Sequence, residues 1–287
     1  MSTIQVLKPK FHIDECLEQI RECLEKGWTG SGFKTAEFEQ KWKEYTGHPH
    51  ACYLNSNTSG LHLATNILKR RYGWQDGDEI ITTPVTFVST NHAILYENLK
   101  PVFADVDQYL CLDPADVEKK ITGKTRAVIF VGYGGRVGQL DKVLEICKQH
   151  GLHLILDAAH MSGTRVNGVT PGTWEGVDVA VYSYQAVKNL PTGDSGMICF
   201  ADGDVFCLDG HTFLYVGTDA VKAKYPDSNG DSVSASYQER SPGVGNDASD
   251  IINRMNGQDW IGRGEYQVFR CVKPDHSTTY TNAGSAS

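Results

Sequence analysis

Lys188 follows an expected strand and precedes a Gly-rich turn, in the segment Ser183-Tyr-Gln-Ala-Val-Lys188-Asn-Leu-Pro-Thr-Gly-Asp194-Ser-Gly196. A lysine amine forms an imine with an aldehyde when its surroundings depress its pKa. The plain alternative is a solvated surface lysine. Ser183, in the same segment, could bind a phosphate. Asp157-Ala-Ala-His160 closes an apolar run. A buried carboxylate there needs a partner, and a pyridinium N–H would supply one. The carboxylate would keep the ring nitrogen protonated, so that the ring acts as an electron sink. His160, about one helical turn on, could meet a ring hydroxyl. The alternative is an aspartate that caps the next helix. Leu54-Asn-Ser-Asn-Thr58-Ser59-Gly60 is a polar turn that enters a helix. Unpaired N–H groups and the positive dipole end suit a phosphate, with hydroxyls from Thr58 and Ser59; ordinary N-capping explains the same residues. Phe87, after Pro84, could stack on a flat heterocycle or belong to the core. Taken together, the four segments suggest a pyridoxal-phosphate (PLP) site.

These side chains must be held by regular elements. Ile13, Cys16, Leu17, Ile20, Cys23 and Leu24 recur at helical spacing, which predicts a helix over 11–27 ended by Gly27. A second helix is expected over 35–45 and a third over 59–71. Strands are expected at 79–84, 101–105, 127–131, 153–157 and 177–182. Helices are expected between them at 90–96, 114–121 and 140–150; Pro114 takes the favoured first helical position. Alternating helices and short apolar strands predict an α/β fold, a mostly parallel sheet sandwiched by helices. Ligands sit at the carboxyl ends of such strands, where Asp157 and Ser183 fall. After about Asp204 a turn-and-loop composition takes over. The expected organisation is therefore a domain over 1–204 and an irregular C-terminal segment over 205–287, with possible short strands at 213–216 and 268–272.

The chain has 287 residues, 40% hydrophobic and 22% charged, with a formal net charge of −8. That is enough for a packed core in one large or two modest domains. The acidic balance argues against nucleic acid and membrane surfaces as partners. No apolar stretch approaches the roughly 20 residues of a membrane span. The first ten residues lack the apolar run of a signal peptide, so the expected location is cytoplasmic. The 8 cysteines are scattered without a C-x-x-C pair, which predicts buried reduced thiols. His48 and His50 have no cysteine pair beside them, so no zinc site is expected.

In this order the segments resemble the DegT/StrS-type sugar aminotransferases, a branch of the fold-type-I PLP enzymes. The resemblance runs from about residue 9 to residue 204. It includes Trp28-Thr29-Gly30 with Phe38-Glu39, Asn55-Ser-Asn-Thr-Ser-Gly-Leu-His-Leu-Ala, Thr83-Pro-Val-Thr-Phe-Val-Ser-Thr and Pro101-Val-Phe-Ala-Asp-Val-Asp. Asp157-Ala-Ala-His, Lys188 and Thr192-Gly-Asp-Ser-Gly complete it. It implies that Lys188 is the Schiff-base lysine and that Asp157 faces the pyridine nitrogen. It also places His160 near the ring oxygen, Phe87 against the ring, and Thr58, Ser59 and Ser183 in the phosphate cradle. Gln185 lies between two matched positions and is left unassigned. The chain departs from the family at several points: Asn57-Thr58-Ser59 stands where the family usually has Gly-Thr-Ser, Gly193-Asp-Ser-Gly196 stands for Gly-Glu-Gly-Gly, and Gly132-Tyr-Gly-Gly135 stands for His-x-x-Gly.

The activity implied is PLP-dependent transamination of a keto-sugar nucleotide by an amino-acid donor, Glu or Gln, in the biosynthesis of polysaccharide or antibiotic sugars. The resemblance also implies a homodimer with a shared site. Family members carry a helical C-terminal domain that closes over the substrate. Residues 205–287 do not resemble it, which suggests truncation, fusion to foreign sequence or a frame shift near residue 204. Two alternatives stay open: a PLP-binding or inert homologue without turnover, and a PLP-dependent deoxysugar dehydratase. The dehydratase relatives replace the lysine by His, so Lys188 counts against that alternative. A Rossmann oxidoreductase lacks its G-x-G-x-x-G.

Overall fold

The computed structural model describes residues 9, 11–30, 32–202, 271–272 and 278–279. The chain divides into two compact units, Met1–Asp202 and Gly203–Ser287. In the first, helices α1 (Ile13–Glu25) and α2 (Phe33–Thr46) precede β1 (His50–Leu54), α3 (Asn57–Tyr72), β2 (Glu79–Thr82), α4 (Val88–Tyr96) and β3 (Lys100–Phe103). Then follow α5 (Pro114–Lys120), β4 (Thr125–Val131), α6 (Leu140–His150), β5 (His153–Asp157), β6 (Val179–Ser183) and β7 (Gly196–Phe200). In the second unit the described residues are two short antiparallel strands, β8 (Cys271–Val272) and β9 (Thr278–Thr279). The strand expected at 213–216, and residues 268–270 of the one expected at 268–272, lie outside the described residues.

The strands of the first unit form a seven-stranded sheet in the order β1-β7-β6-β5-β4-β2-β3. The pairs from β3 to β6 are parallel, and β7 runs antiparallel to both of its neighbours. Parallel neighbours need crossovers. Helices α4 and α6 supply two of them, and an irregular stretch with a 3-10 turn at Pro171–Thr173 links β5 to β6. The expected mostly parallel sheet between helices is thus the fold observed.

Alternation along the strands then decides which side chains meet. Val128, Phe130, Leu154, Leu156, Ala180, Tyr182, Met197 and Cys199 join one core cluster with Trp42 of α2 and Leu140, Val143 and Cys147 of α6. Trp42 packs edge-on against Tyr182 at 5.0 Å and Tyr184 at 5.3 Å. The intervening residues, Asp157, Val181 and Ser183 among them, therefore face the opposite layer, where α3 lies. Gly60 brings α3 close to that face. A Cβ there would lie 2.4 Å from Val181 Cγ1 and 2.9 Å from Leu54 Cδ1.

The helices and parallel strands largely match the sequence pattern, within a few residues at each end. Strands β1 and β7 were not anticipated. β7 is a short apolar run directly after a Gly-rich turn, and β1 begins with a histidine, so each gives a weak period. Helix α3 starts at Asn57, two residues before the expected Ser59, because Ser56 is its N-cap: Ser56 Oγ accepts the Ser59 N–H at 3.2 Å. Strand β2 ends at Thr82 rather than 84. The thiols differ in part from expectation. Cys52, Cys111, Cys147 and Cys199 are buried thiols, but Cys16 is exposed, because α1 buries none of its residues. Among the described residues no helix is long and apolar enough to cross a membrane.

Candidate active site

Asp157 is the last residue of β5, at the carboxyl end of the parallel strands. It is 4% exposed. Its hydrogen bonds come from neutral donors: Thr90 Oγ1 donates to Oδ2 at 2.7 Å, while the Ala159 N–H and Asn57 Nδ2 donate to Oδ1 at 3.2 and 3.4 Å. Burial pushes its pKa up. Those donors and nearby His160 oppose the shift without cancelling it. An acid held this way suits a ligand that brings positive charge.

Lys188 sits in the hairpin between β6 and the antiparallel β7. The hairpin closes through Tyr184 N–H to the Ser195 carbonyl, Ala186 N–H to the Gly193 carbonyl and Thr192 N–H to the Tyr184 carbonyl, each 2.8 Å. A tighter turn at its tip, Lys188 N–H to the Gln185 carbonyl at 2.8 Å, carries the lysine. Asn189 Nδ2 donates to the Ser162 carbonyl and ties the hairpin to the turn that bears His160. Partial burial lowers the Lys188 pKa, and the Asp157 carboxylate pulls it back up. The carboxylate thus acts on the amine from the end of the strand next to β6. His160 joins them: partial burial and then the Lys188 ammonium hold its pKa down. Its Nδ1 accepts the Gly134 N–H at 3.1 Å, so a neutral ring carries its proton on Nε2.

The phosphate-cradle candidates converge on Gly196. In register, Gly196 pairs with Leu54 of β1 and with Ser183 of β6. Leu54 and Ser183 thus lie about 10 Å apart, two strand spacings, at one height of the sheet. A Cβ on Gly196 would meet the Ser56 and Asn57 backbone at 2.6–2.8 Å. Its absence lets the start of α3 sit against the sheet beside Ser183. Thr58 and Ser59 occupy the first turn, both half-buried. Ser59 Oγ is bonded locally, to Asn55 Oδ1 and, at 2.8 Å, to Ser56 Oγ.

Phe87 precedes α4 and is 75% exposed. It is not the core residue its type alone would suggest, and its ring has a face open to a ligand. Thr90 and Ser56 carry no functional signal in the sequence, and Asn57 stands out there only as a departure from glycine. Their types are common at helix starts, and only the meeting of α3 and α4 over β5 reveals their partners. The donor set fits PLP: a buried acid for a ring N–H, a partly desolvated amine for an aldehyde, an open aromatic face, and a helix N-terminus with hydroxyls for a phosphate.

A mostly parallel sheet between helices, with an acid at the end of β5 and a lysine on the following hairpin, is the architecture of the large domain of fold-type-I aminotransferases. The chain belongs to the DegT/DnrJ/EryC1/StrS aminotransferase family, whose model matches residues 12–217. It is 38% identical over 192 residues to the spore coat polysaccharide biosynthesis protein SpsC of Bacillus subtilis (strain 168), covering 67% of this chain and 48% of that protein. Among solved structures, DesI in the presence of its TDP-sugar product superposes with a TM-score of 0.62 at 30% identity, covering 70% of this chain and 50% of that one. The PLP-form of the putative sugar aminotransferase Spr1654 from Streptococcus pneumoniae gives a TM-score of 0.65 at 26% identity, covering 72% and 55%. The chain spans about half the length of the curated relatives it matches.

Proposed function

We propose that this chain takes part in PLP-dependent transamination of a keto-sugar nucleotide, with an amino acid such as Glu or Gln as donor. Residues 1–204 hold the cofactor, while 205–287 are a divergent segment. A cytoplasmic homodimer with a shared site belongs to the same proposal. Family membership, the PLP-form neighbour and the TDP-sugar neighbour support it. The observation that carries it is the placement of a buried acid, Asp157, at the carboxyl end of β5 and of half-buried Lys188 on the hairpin that follows the neighbouring strand β6.

When bound, PLP supplies an electrophilic aldehyde and an electron-withdrawing ring. Asp157 keeps a proton on the ring nitrogen and takes up the positive charge it otherwise lacks. Lys188 Nζ would hold the aldehyde, and its lowered pKa would suit the amine to accept and return a proton at that atom. His160 Nε2–H is the donor available to the ring oxygen. Phe87 covers a ring face. The first turn of α3, with Thr58 and Ser59, and Ser183 across Gly196 hold the phosphate.

The experiment is titration of the purified chain with PLP. An absorbance band near the visible edge, lost in Lys188→Ala, is expected, and glutamate should convert it. Absence of the band sinks the proposal. A band that glutamate leaves untouched would mean a cofactor-holding chain without turnover.

A further inference from the structure

Asn57 carries a side chain that the proposed cofactor contacts do not use. Its side chain is buried, 8% exposed, at the first position of α3. The amide Nδ2 donates to the Val181 carbonyl at 2.9 Å and to Asp157 Oδ1 at 3.4 Å. Both hydrogens of one NH2 group are thereby used. The opposite amide orientation would turn a carbonyl oxygen toward the Val181 carbonyl and the carboxylate, which the network forbids. The backbone that carries Asn57 is fixed by the Ser56 cap and by its close approach to Gly196. Thr90 of α4 holds the other carboxylate oxygen at 2.7 Å. Thr86 and Thr90 share a 2.8 Å hydroxyl contact. With Thr90 donating to an ionised Asp157, the proton in that contact comes from Thr86.

We infer that Asn57 is a positioning residue: with Thr90 it clamps the two Asp157 oxygens between α3 and α4, fixing the carboxylate and favouring its ionised form. A glycine at 57 supports α3 but cannot donate to the acid. Among the described residues, the titratable group that acts on Asp157 is His160, from the turn after β5, and Asp157 in turn acts on Lys188, from the β6–β7 hairpin. Helices α3 and α4 present neutral Asn57 and Thr90 to it. The inference rests on the proposed function only where Asp157 meets a ring nitrogen; the clamp itself is a property of the cofactor-free chain.

The test is a carboxyl 13C NMR titration of Asp157 in the cofactor-free chain, for wild type, Asn57→Ala, Asn57→Gly and Thr90→Val. The Asp157 midpoint is expected to move upward in all three variants. A second measurement needs no variant: in wild type the Asn57 side-chain amide resonances should shift with the same midpoint as Asp157, and this response should vanish in Asp157→Asn. A third is PLP affinity, expected to weaken about two- to tenfold in Asn57→Gly, the range for one typical intramolecular hydrogen bond. The inference is overturned if both Asn57 variants titrate like wild type while Thr90→Val moves. It is equally overturned if the wild-type amide resonances ignore the Asp157 titration. Failure of wild type to bind PLP would sink the proposed function and leave both NMR results to decide the clamp.

Discussion

Asp157 concentrates the tension between stability and chemistry. Its folded-state pKa lies above that of an unfolded aspartate because burial disfavours the charge. The sign follows directly. The folded chain holds this proton more tightly than the unfolded chain, so stability is lost as pH rises through the raised pKa. Asp157→Asn removes the buried charge. Its amide can still receive the Ala159 N–H and meet Thr90. The expected outcome is a cofactor-free protein with a higher denaturation midpoint at pH 7, a gain that shrinks toward pH 4, and no PLP absorbance band. Urea melts at the two pH values check it. Lys188 provides a second readout: without the carboxylate that pulls its pKa up, the amine should titrate lower in Asp157→Asn. His48 behaves oppositely. It is buried against Tyr182, whose hydroxyl lies 3.0 Å from Nε2, and burial lowers its pKa from 6.5 to about 4. A depressed histidine pKa leaves stability intact above pH 6.5 and removes it as pH falls toward 4, by about 3 kcal/mol on the scale of 1.36 kcal/mol per pKa unit. His48→Gln should flatten that stretch of the stability–pH curve; an unchanged slope would exclude His48 as its source.

At the scale of elements, α3 and the β6–β7 hairpin set the site. Ser56 is the cap that fixes where α3 begins, and Ser56→Ala should cost about 1 kcal/mol of unfolding free energy. Gly196 matters for space rather than for φ. The atoms a Cβ would meet belong to the Ser56 and Asn57 backbone, which cannot swing aside as a flexible side chain would. Gly196→Ala should cost about 1–3 kcal/mol and weaken PLP binding, because relief of the clash moves the start of α3. Guanidinium denaturation and a PLP titration on the same samples separate the two effects. The elements that sequence periodicity located well are those with strong local signals. Helix α6 has a two-faced pattern closed by Gly151, α5 has Asp113 as cap and Pro114 at its first position, and β5 is an apolar run ending in an acid. β1 and β7 lack such signals. They are strands because each pairs with the other across the sheet, a contact between residues far apart in the chain.

Across the first unit, the distribution of exposed apolar side chains is uneven. Ile13, Leu17, Ile20 and Leu24 are all more than half exposed on α1, and Val88, Leu95 and Tyr96 are on α4. Faces of this kind mark interaction surfaces, which agrees with the proposed homodimer. Sedimentation equilibrium tests it, and a monomer at all concentrations would remove that part of the proposal. Because Leu17 and Leu24 are both more than half exposed, Leu17→Glu with Leu24→Glu should change monomer stability by no more than about 0.5 kcal/mol per site. The local sequence determined the alternating α/β plan, the Asp113–Pro114 start of α5 and the Gly151 stop of α6, because residue type and short-range periodicity carry those. It offered Lys188 and Asp157 only as candidates, singled out by the resemblance of several segments read together. Which residues clamp Asp157, where Gly196 must leave room, and that Phe87 stays open were decided only in three dimensions. Asn57 and Asp157 are 100 residues apart, and no local pattern records a hydrogen bond that exists only after two helices and two strands have packed.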